Sequence, residues 1–209
     1  MNEPQLKSTW QAVWEELGAA RSDEKLFSDL LGCYRQPARK YHSTQHLSEC
    51  LENCRELRRE ARFPAEVELA LWFHDAVYDV LRKDNELRSA QWAKRSVLAA
   101  GCPDDAAQRV HELVMATRHQ AVPSGMDAQI VVDVDLWILG APPGRFDEYE
   151  RQIRDEYRHV PGIIFRPKRK ALLKSFLERQ RIFATALFFE RHEAQARANL
   201  ERSLERLGA

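Results

Sequence analysis

Residues 66–79, EVELALWFHDAVYD, decide how the chain is read. Pro64 precedes them, a residue suited to the first turn of a helix. Leu69, Ala70, Leu71, Trp72, Phe73, Ala76 and Val77 then follow with almost no polar face, so the stretch predicts a buried helix from Glu66 to Asp79. His74 and Asp75 stand inside that apolar run. Burying an ionisable pair costs several kcal/mol unless a partner or a cation neutralises it. A structural reading has His74 bonding a backbone carbonyl and Asp75 capping or salt-bridging a neighbour. A functional reading needs further ligand-type residues to converge.

Such residues occur on both sides. Upstream, YHSTQHL holds His42 and His46 at i, i+4, which predicts two imidazoles on one helix face. Downstream, VVDVDLWIL embeds Asp133 and Asp135 in another apolar run. Alternation at Val132, Val134, Leu136 and Ile138 reads there as a strand on period alone.

A His, then His-Asp in an apolar helix, then a distant Asp before Leu resembles the HD-domain superfamily of metal-dependent phosphohydrolases. The strings RKYHSTQHL, LALWFHDAVYD, DNELRSA, DVDLWILG and IRDEY are similar to a bacterial branch of predicted HD phosphohydrolases, over most of the chain. The resemblance implies an all-α, single-domain HD-type helical bundle around a central metal site. It makes the Ile130–Leu139 stretch helical, a choice that the lack of partner strands also favours. It implies His46, His74, Asp75 and Asp135 as metal ligands, with Asp135 preferred to Asp133 because it directly precedes Leu. Imidazole and carboxylate donors suit Mn, Fe, Zn, Co, Ni or Mg, as one ion or two.

The expected activity is hydrolysis of a phosphate ester or nucleotide by a metal-activated water, with His42 donating a proton to the leaving oxygen and Asp75 orienting the water or bridging a second ion. Two other classes share the pattern: an HD-type di-iron oxygenase, which would recruit His111 or His119, and a non-catalytic nucleotide sensor. His119 is a candidate ligand or phosphate contact. Arg39 reads either as half of a solvated pair with Lys40 or as a phosphate contact. Asp79, Asn85 and Glu86 lie close in sequence to the mouth of such a site, and Asn85 reads equally as a helix cap.

Composition sets the outer bounds. The 209 residues carry 32 Lys+Arg against 32 Asp+Glu, which suggests no extended nucleic-acid surface. One domain spanning 1–209 is expected, since no Gly/Ser/Pro-rich break divides it. No apolar run approaches the ~20 residues of a membrane span, and the N-terminus lacks a signal-peptide pattern, so a cytoplasmic protein with no membrane partner is expected. Cys33, Cys50, Cys54 and Cys102 form no CxxC; Cys50 and Cys54, at i, i+4 in the register of His42 and His46, read either as part of a zinc cluster or as reduced packing residues, and packing is preferred.

Helices are expected from Ser8 with a Ser8 or Thr9 cap, from Asp23 to Tyr34, from Ser43 to about Arg59, from Asp84 or Asn85 to Gly101, and from Pro103 to near His119. A stripe of Phe146, Tyr149, Ile153 and Tyr157 gives another. Pro167 then opens a long region in which Leu172, Leu173, Phe176, Leu177, Phe183 and Leu187 pack inward. The charged tail has too irregular an apolar spacing for a coiled coil, so a monomer or weak homodimer is expected.

Overall fold

The structure, a computed structural model, describes residues 1–19, 23–120 and 123–208. Among them the protein is all-α, with no strand. It forms two compact units, 1–135 and 136–209.

The first unit holds α1 (Glu3–Glu16), α2 (Glu24–Tyr34), α3 (Thr44–Leu57), α4 (Pro64–Phe73), α5 (Asn85–Ala99), α6 (Asp104–Ala116) and α7 (Met126–Asp135). Helix α4 is its axis and packs against α1, α3, α5, α6 and α7. Every residue from Ala65 to Phe73 is buried, which explains the absence of a polar face in the sequence. Trp72 meets Trp10 edge-on at 5.2 Å between ring centroids and Phe27 at 6.0 Å, forming an aromatic core with Trp14 and Phe73.

Helix α4 ends at Phe73, short of the expected Asp79. Its last carbonyls are taken by side chains and a turn instead of by another helical turn. The Tyr34 hydroxyl donates to Trp72 O, and the Ala76 N–H donates to Phe73 O. Arg39 donates to the carbonyls of Asp75 (2.6 Å) and Ala76 (3.0 Å). With the backbone satisfied this way, His74 and Asp75 sit on a turn at the helix end. The other starts also follow from caps. Asn2 forms a capping box with Gln5, so α1 begins five residues before Ser8. Ser43 caps α3, leaving His42 outside the helix that carries His46; the expected shared helix face does not exist.

The Ile130 stretch is helical. Ile130, Val131, Val132, Asp133 and Val134 are all buried, so the alternation in sequence reflects full burial and not a half-exposed strand. The Asp127 carboxylate accepts from the backbone N–H groups of Arg62 (2.6 Å) and Phe63 (3.1 Å). That pins the start of α7 to the start of α4, and the C-terminal ends of the two helices carry Asp135 and His74.

The second unit holds a 3-10 turn (Leu136–Gly140), α8 (Pro143–Glu156), α9 (Gly162–Leu177) and α10 (Ala186–Gly208). Gly140 lies so close to α10 that a Cβ there would stand 2.7 Å from the His192 Cβ. The buried Asn199 amide donates to Leu139 O and Ala141 O, each at 2.9 Å. Helix α9 begins at Gly162, before Pro167 and not at it. The proline removes one helical hydrogen bond to the carbonyl of Ile163, a residue on the exposed side of the helix. Phe183 lies outside both α9 and α10, and Leu172 points outward at 47% exposure.

Candidate metal centre

Four of the expected ligands converge within the first unit. His46 comes from the first turns of α3, His74 and Asp75 from the turn ending α4, and Asp135 from the last residue of α7. The two Nε2 atoms of His46 and His74 are 3.0 Å apart. His46 Nε2 lies 3.6 Å from Asp75 Oδ2 and 3.3 Å from Asp135 Oδ1. His74 Nε2 lies 3.2 Å and 3.5 Å from the same two oxygens. Donors ~2.1 Å from one ion stand ~3.0 Å apart at a right angle and ~3.4 Å apart in a tetrahedron, so these spacings suit a single small cation. His74 Nδ1 approaches Leu71 O at 2.7 Å, which assigns that nitrogen the hydrogen and turns Nε2 toward the centre.

Cys50, which the sequence reading assigns to packing in preference to a zinc cluster, also lies at the site. His46, Cys50, His74 and Asp135 each offer a donor atom within 4.8 Å of the others, a group that could hold a metal ion. Its spacing of one helical turn from His46 was the available signal, yet buried cysteine is so common in cores that spacing alone decides nothing. The sulfur is 3.7 Å from both ring nitrogens of His46. Equidistance places it off the axis of the Nε2 lone pair, so an ion on that axis would lie ~4 Å or more from it. The thiol thus lies off that axis, while Asp75 brings a carboxylate oxygen to the same two imidazoles. Burial, reinforced by the charges of Asp135 and Asp75, pushes the Cys50 thiol well above its ordinary range.

The electrostatics of the cluster favour positive charge at its centre. Burial opposes the charge on Asp75, but the imidazoles of His74, His42 and His46 outweigh it and hold the carboxyl below the usual range. Asp135 is held well below it too, against burial, by hydrogen bonds to His119 and His46 and by the charge of His74. Burial alone would lower His74, yet Asp75 and Asp135 lift it to about 9. The raised His74 offsets part of the negative charge of the two carboxylates, and a divalent cation would offset it more completely.

The remaining candidates separate by what they touch. His119 Nε2 is 2.9 Å from Asp135 Oδ2, so Asp135 turns one oxygen to the histidine pair and the other to His119. His119 adopts φ +54°, left-handed backbone that is uncommon for a non-glycine residue. His42 is half-buried and stacks on Tyr78 at 4.0 Å between centroids, with its ring centroid 6.0 Å from that of His46. Arg39 is buried between Tyr34 and Tyr78, and its guanidinium serves the Asp75 and Ala76 carbonyls.

No family model, no curated protein and no solved structure matches the chain.

Asp79 and Asn85 form a small staple below the His74 turn: the Asn85 amide donates to Asp79 O at 2.9 Å and accepts from Asp79 N at 3.2 Å. The Asp79 carboxylate accepts from Leu81 N, and Glu86 is half-exposed on the first turn of α5. His111 lies on α6, where burial and the neighbouring Lys94 lower its pKa, and no hydrogen bond or ion pair joins it to the donor cluster among the described residues. A cavity of about 690 Å³ lined by Phe63, Arg109, Arg118 and Met126 opens at the N-terminal ends of α4 and α7, whereas the donor cluster occupies their C-terminal ends. No described helix is long and apolar enough to cross a membrane.

Proposed function

We propose that the protein is a metal-dependent phosphohydrolase of the HD type, acting on a small phosphate ester or nucleotide. The observation that carries this reading is the spacing of two imidazole Nε2 atoms and two carboxylates, 3.0–3.6 Å apart, in a buried cluster whose charges call for a cation. A bound divalent ion would supply Lewis acidity toward phosphate oxygens and lower the pKa of a water toward ~7. His46, His74, Asp75 and Asp135 would hold it. Asp75, with one oxygen toward both imidazoles, would also orient an attacking water by accepting its hydrogen bond. His42 is half-buried, close enough to Asp75 for their charges to couple, and would give the proton to the leaving oxygen. Arg39 shapes the turn that presents His74 and Asp75, which makes it a positioning residue in this reading.

One observation favours a second reading. Asp135 divides its oxygens between the histidine pair and His119, as a carboxylate shared by two ions would, which is the arrangement a di-iron oxygenase needs. A nucleotide sensor would keep the same site without turnover. A screen of nucleotides and phosphoesters with Mn, Fe, Zn, Co, Ni and Mg, using His74→Ala protein as blank, tests the three. Metal-dependent phosphate release absent from the blank supports the hydrolase. A stoichiometric iron pair with O₂ consumption supports the oxygenase, and nucleotide binding without either product supports the sensor.

A further inference from the structure

Helix α9 carries Arg166, Lys168, Arg169, Lys170 and Lys174 and no acidic residue, in a chain whose charges balance overall. Arg169 is buried and paired with Glu150, so it belongs to the fold. Among the described residues no ion pair or hydrogen bond engages the side chains of Arg166, Lys168, Lys170 or Lys174. The outward side of the helix is built from three ridges at i, i+4 spacing. Ile163, Pro167 and Ala171 make an apolar ridge; Arg166, Lys170 and Lys174 border it on one side, and Ile164, Lys168 and Leu172 on the other. Ile163 is 84% exposed and Ile164 47%, unusual for isoleucine at the start of a helix that also has a fully formed inner face of Leu173 and Phe176.

We propose that this face is a docking surface for an anionic lipid bilayer. Charge complementarity selects an anionic partner, since four unpaired cations line a helix with no acid to offset them. The protruding isoleucines select a bilayer over a nucleic acid: phosphate contacts use the lysines and arginines but leave Ile163 and Ile164 in water, whereas an interfacial helix buries its apolar ridge at the headgroup boundary while flanking Lys and Arg side chains reach outward. The sequence-based expectation of no membrane partner rested on the lack of a spanning segment, which a surface-lying helix does not need.

The test is co-sedimentation of the full chain with phosphatidylglycerol/phosphatidylcholine vesicles and with pure phosphatidylcholine vesicles. Binding is expected to the anionic vesicles only, and to fall steeply as salt rises. Ile163→Ser with Ile164→Ser should weaken it at least ~10-fold, and Lys168→Glu with Lys174→Glu about 25-fold or more, at ~5-fold per cation. All four side chains are exposed, so circular dichroism should be unchanged. No sedimentation with anionic vesicles overturns the proposal, as does sedimentation indifferent to the isoleucine pair. Tighter binding to single-stranded RNA that ignores the isoleucines overturns it in favour of a nucleic-acid surface.

Discussion

His46 and His74 face each other through their Nε2 atoms at 3.0 Å, while the other nitrogen of His74 is committed to Leu71 O at 2.7 Å. Two lone pairs cannot face each other at that distance without a proton or a cation between them. The same oxygens of Asp75 and Asp135 flank both nitrogens, so the site favours positive charge between them.

Alanine at His46, His74, Asp75 or Asp135 is therefore expected to reduce metal occupancy by more than the ~10–100-fold that loss of an outer partner costs. Asp133→Asn and Cys50→Ser should retain metal, because Asp133 is not among the converging donors and the Cys50 sulfur lies off the His46 lone-pair axis. Elemental analysis of purified variants reads this directly. Loss of metal in Cys50→Ser with full occupancy in Asp75→Ala would show that the thiol, and not that carboxylate, completes the shell.

His119→Ala distinguishes an outer partner from a ligand of a second ion. As the residue orienting Asp135 Oδ2, its loss should weaken the metal affinity ~10–100-fold while leaving the stoichiometry at one ion per chain. A fall from two ions to one on the same substitution would instead favour the two-ion arrangement.

The sequence made the donor set legible because carboxylates and imidazoles in apolar runs are rare and need an explanation. His74, Asp75, Asp133 and Asp135 stand out in that way; His46 and the choice of Asp135 over Asp133 come from the resemblance, and His46, His74, Asp75 and Asp135 lie together in the structure. The helix boundaries around them were less legible. Nothing local to residues 66–79 reveals that Tyr34 and Arg39, more than thirty residues earlier, supply donors that end α4 at Phe73. Arg39 looked like a phosphate contact for the same reason: a cation beside a histidine motif reads as substrate-facing until its backbone partners are known. The strand-like alternation at Val132–Ile138 misleads because period 2 has meaning only when one face is wet, and α7 is buried nearly all round.

Arg39→Met tests the role of this arginine. Removing a buried guanidinium that donates to Asp75 O and Ala76 O leaves two carbonyls without partners, expected to cost about 2–4 kcal/mol in urea unfolding. Arg39→Lys should recover little, because an ammonium lacks the planar fork. Unchanged stability in Arg39→Met together with a raised KM would return Arg39 to the substrate.

The cysteines give a prediction independent of activity. Burial lifts the Cys54 thiol to about 12, and Cys50 is pushed well above its usual range. Both should resist iodoacetamide at pH 8 in the native protein, since the thiolate is the reactive form. Cys33, only half-buried, should be alkylated first, and peptide mapping after brief labelling shows the order. Modification of Cys50 before Cys33 would mean the centre opens to solvent far more readily than its burial indicates.

His42 is where the chemistry of the proposed reaction is most exposed to test. It lies before the Ser43 cap, so α3 does not fix its ring; the stack on Tyr78 at 4.0 Å does, aided by the Ser43 N–H to Tyr41 O bond that turns the backbone. If it delivers a proton to the leaving oxygen, His42→Ala should keep its metal and lose ~10²–10⁴-fold in turnover, the usual span for general acid-base catalysis. Tyr78→Leu should lose less, because it frees the ring without removing the proton. The loss in His42→Ala should shrink for nitrophenyl esters, whose leaving groups need little protonation. Equal losses for good and poor leaving groups would remove the acid role, and disappearance of metal along with activity would make His42 a ligand.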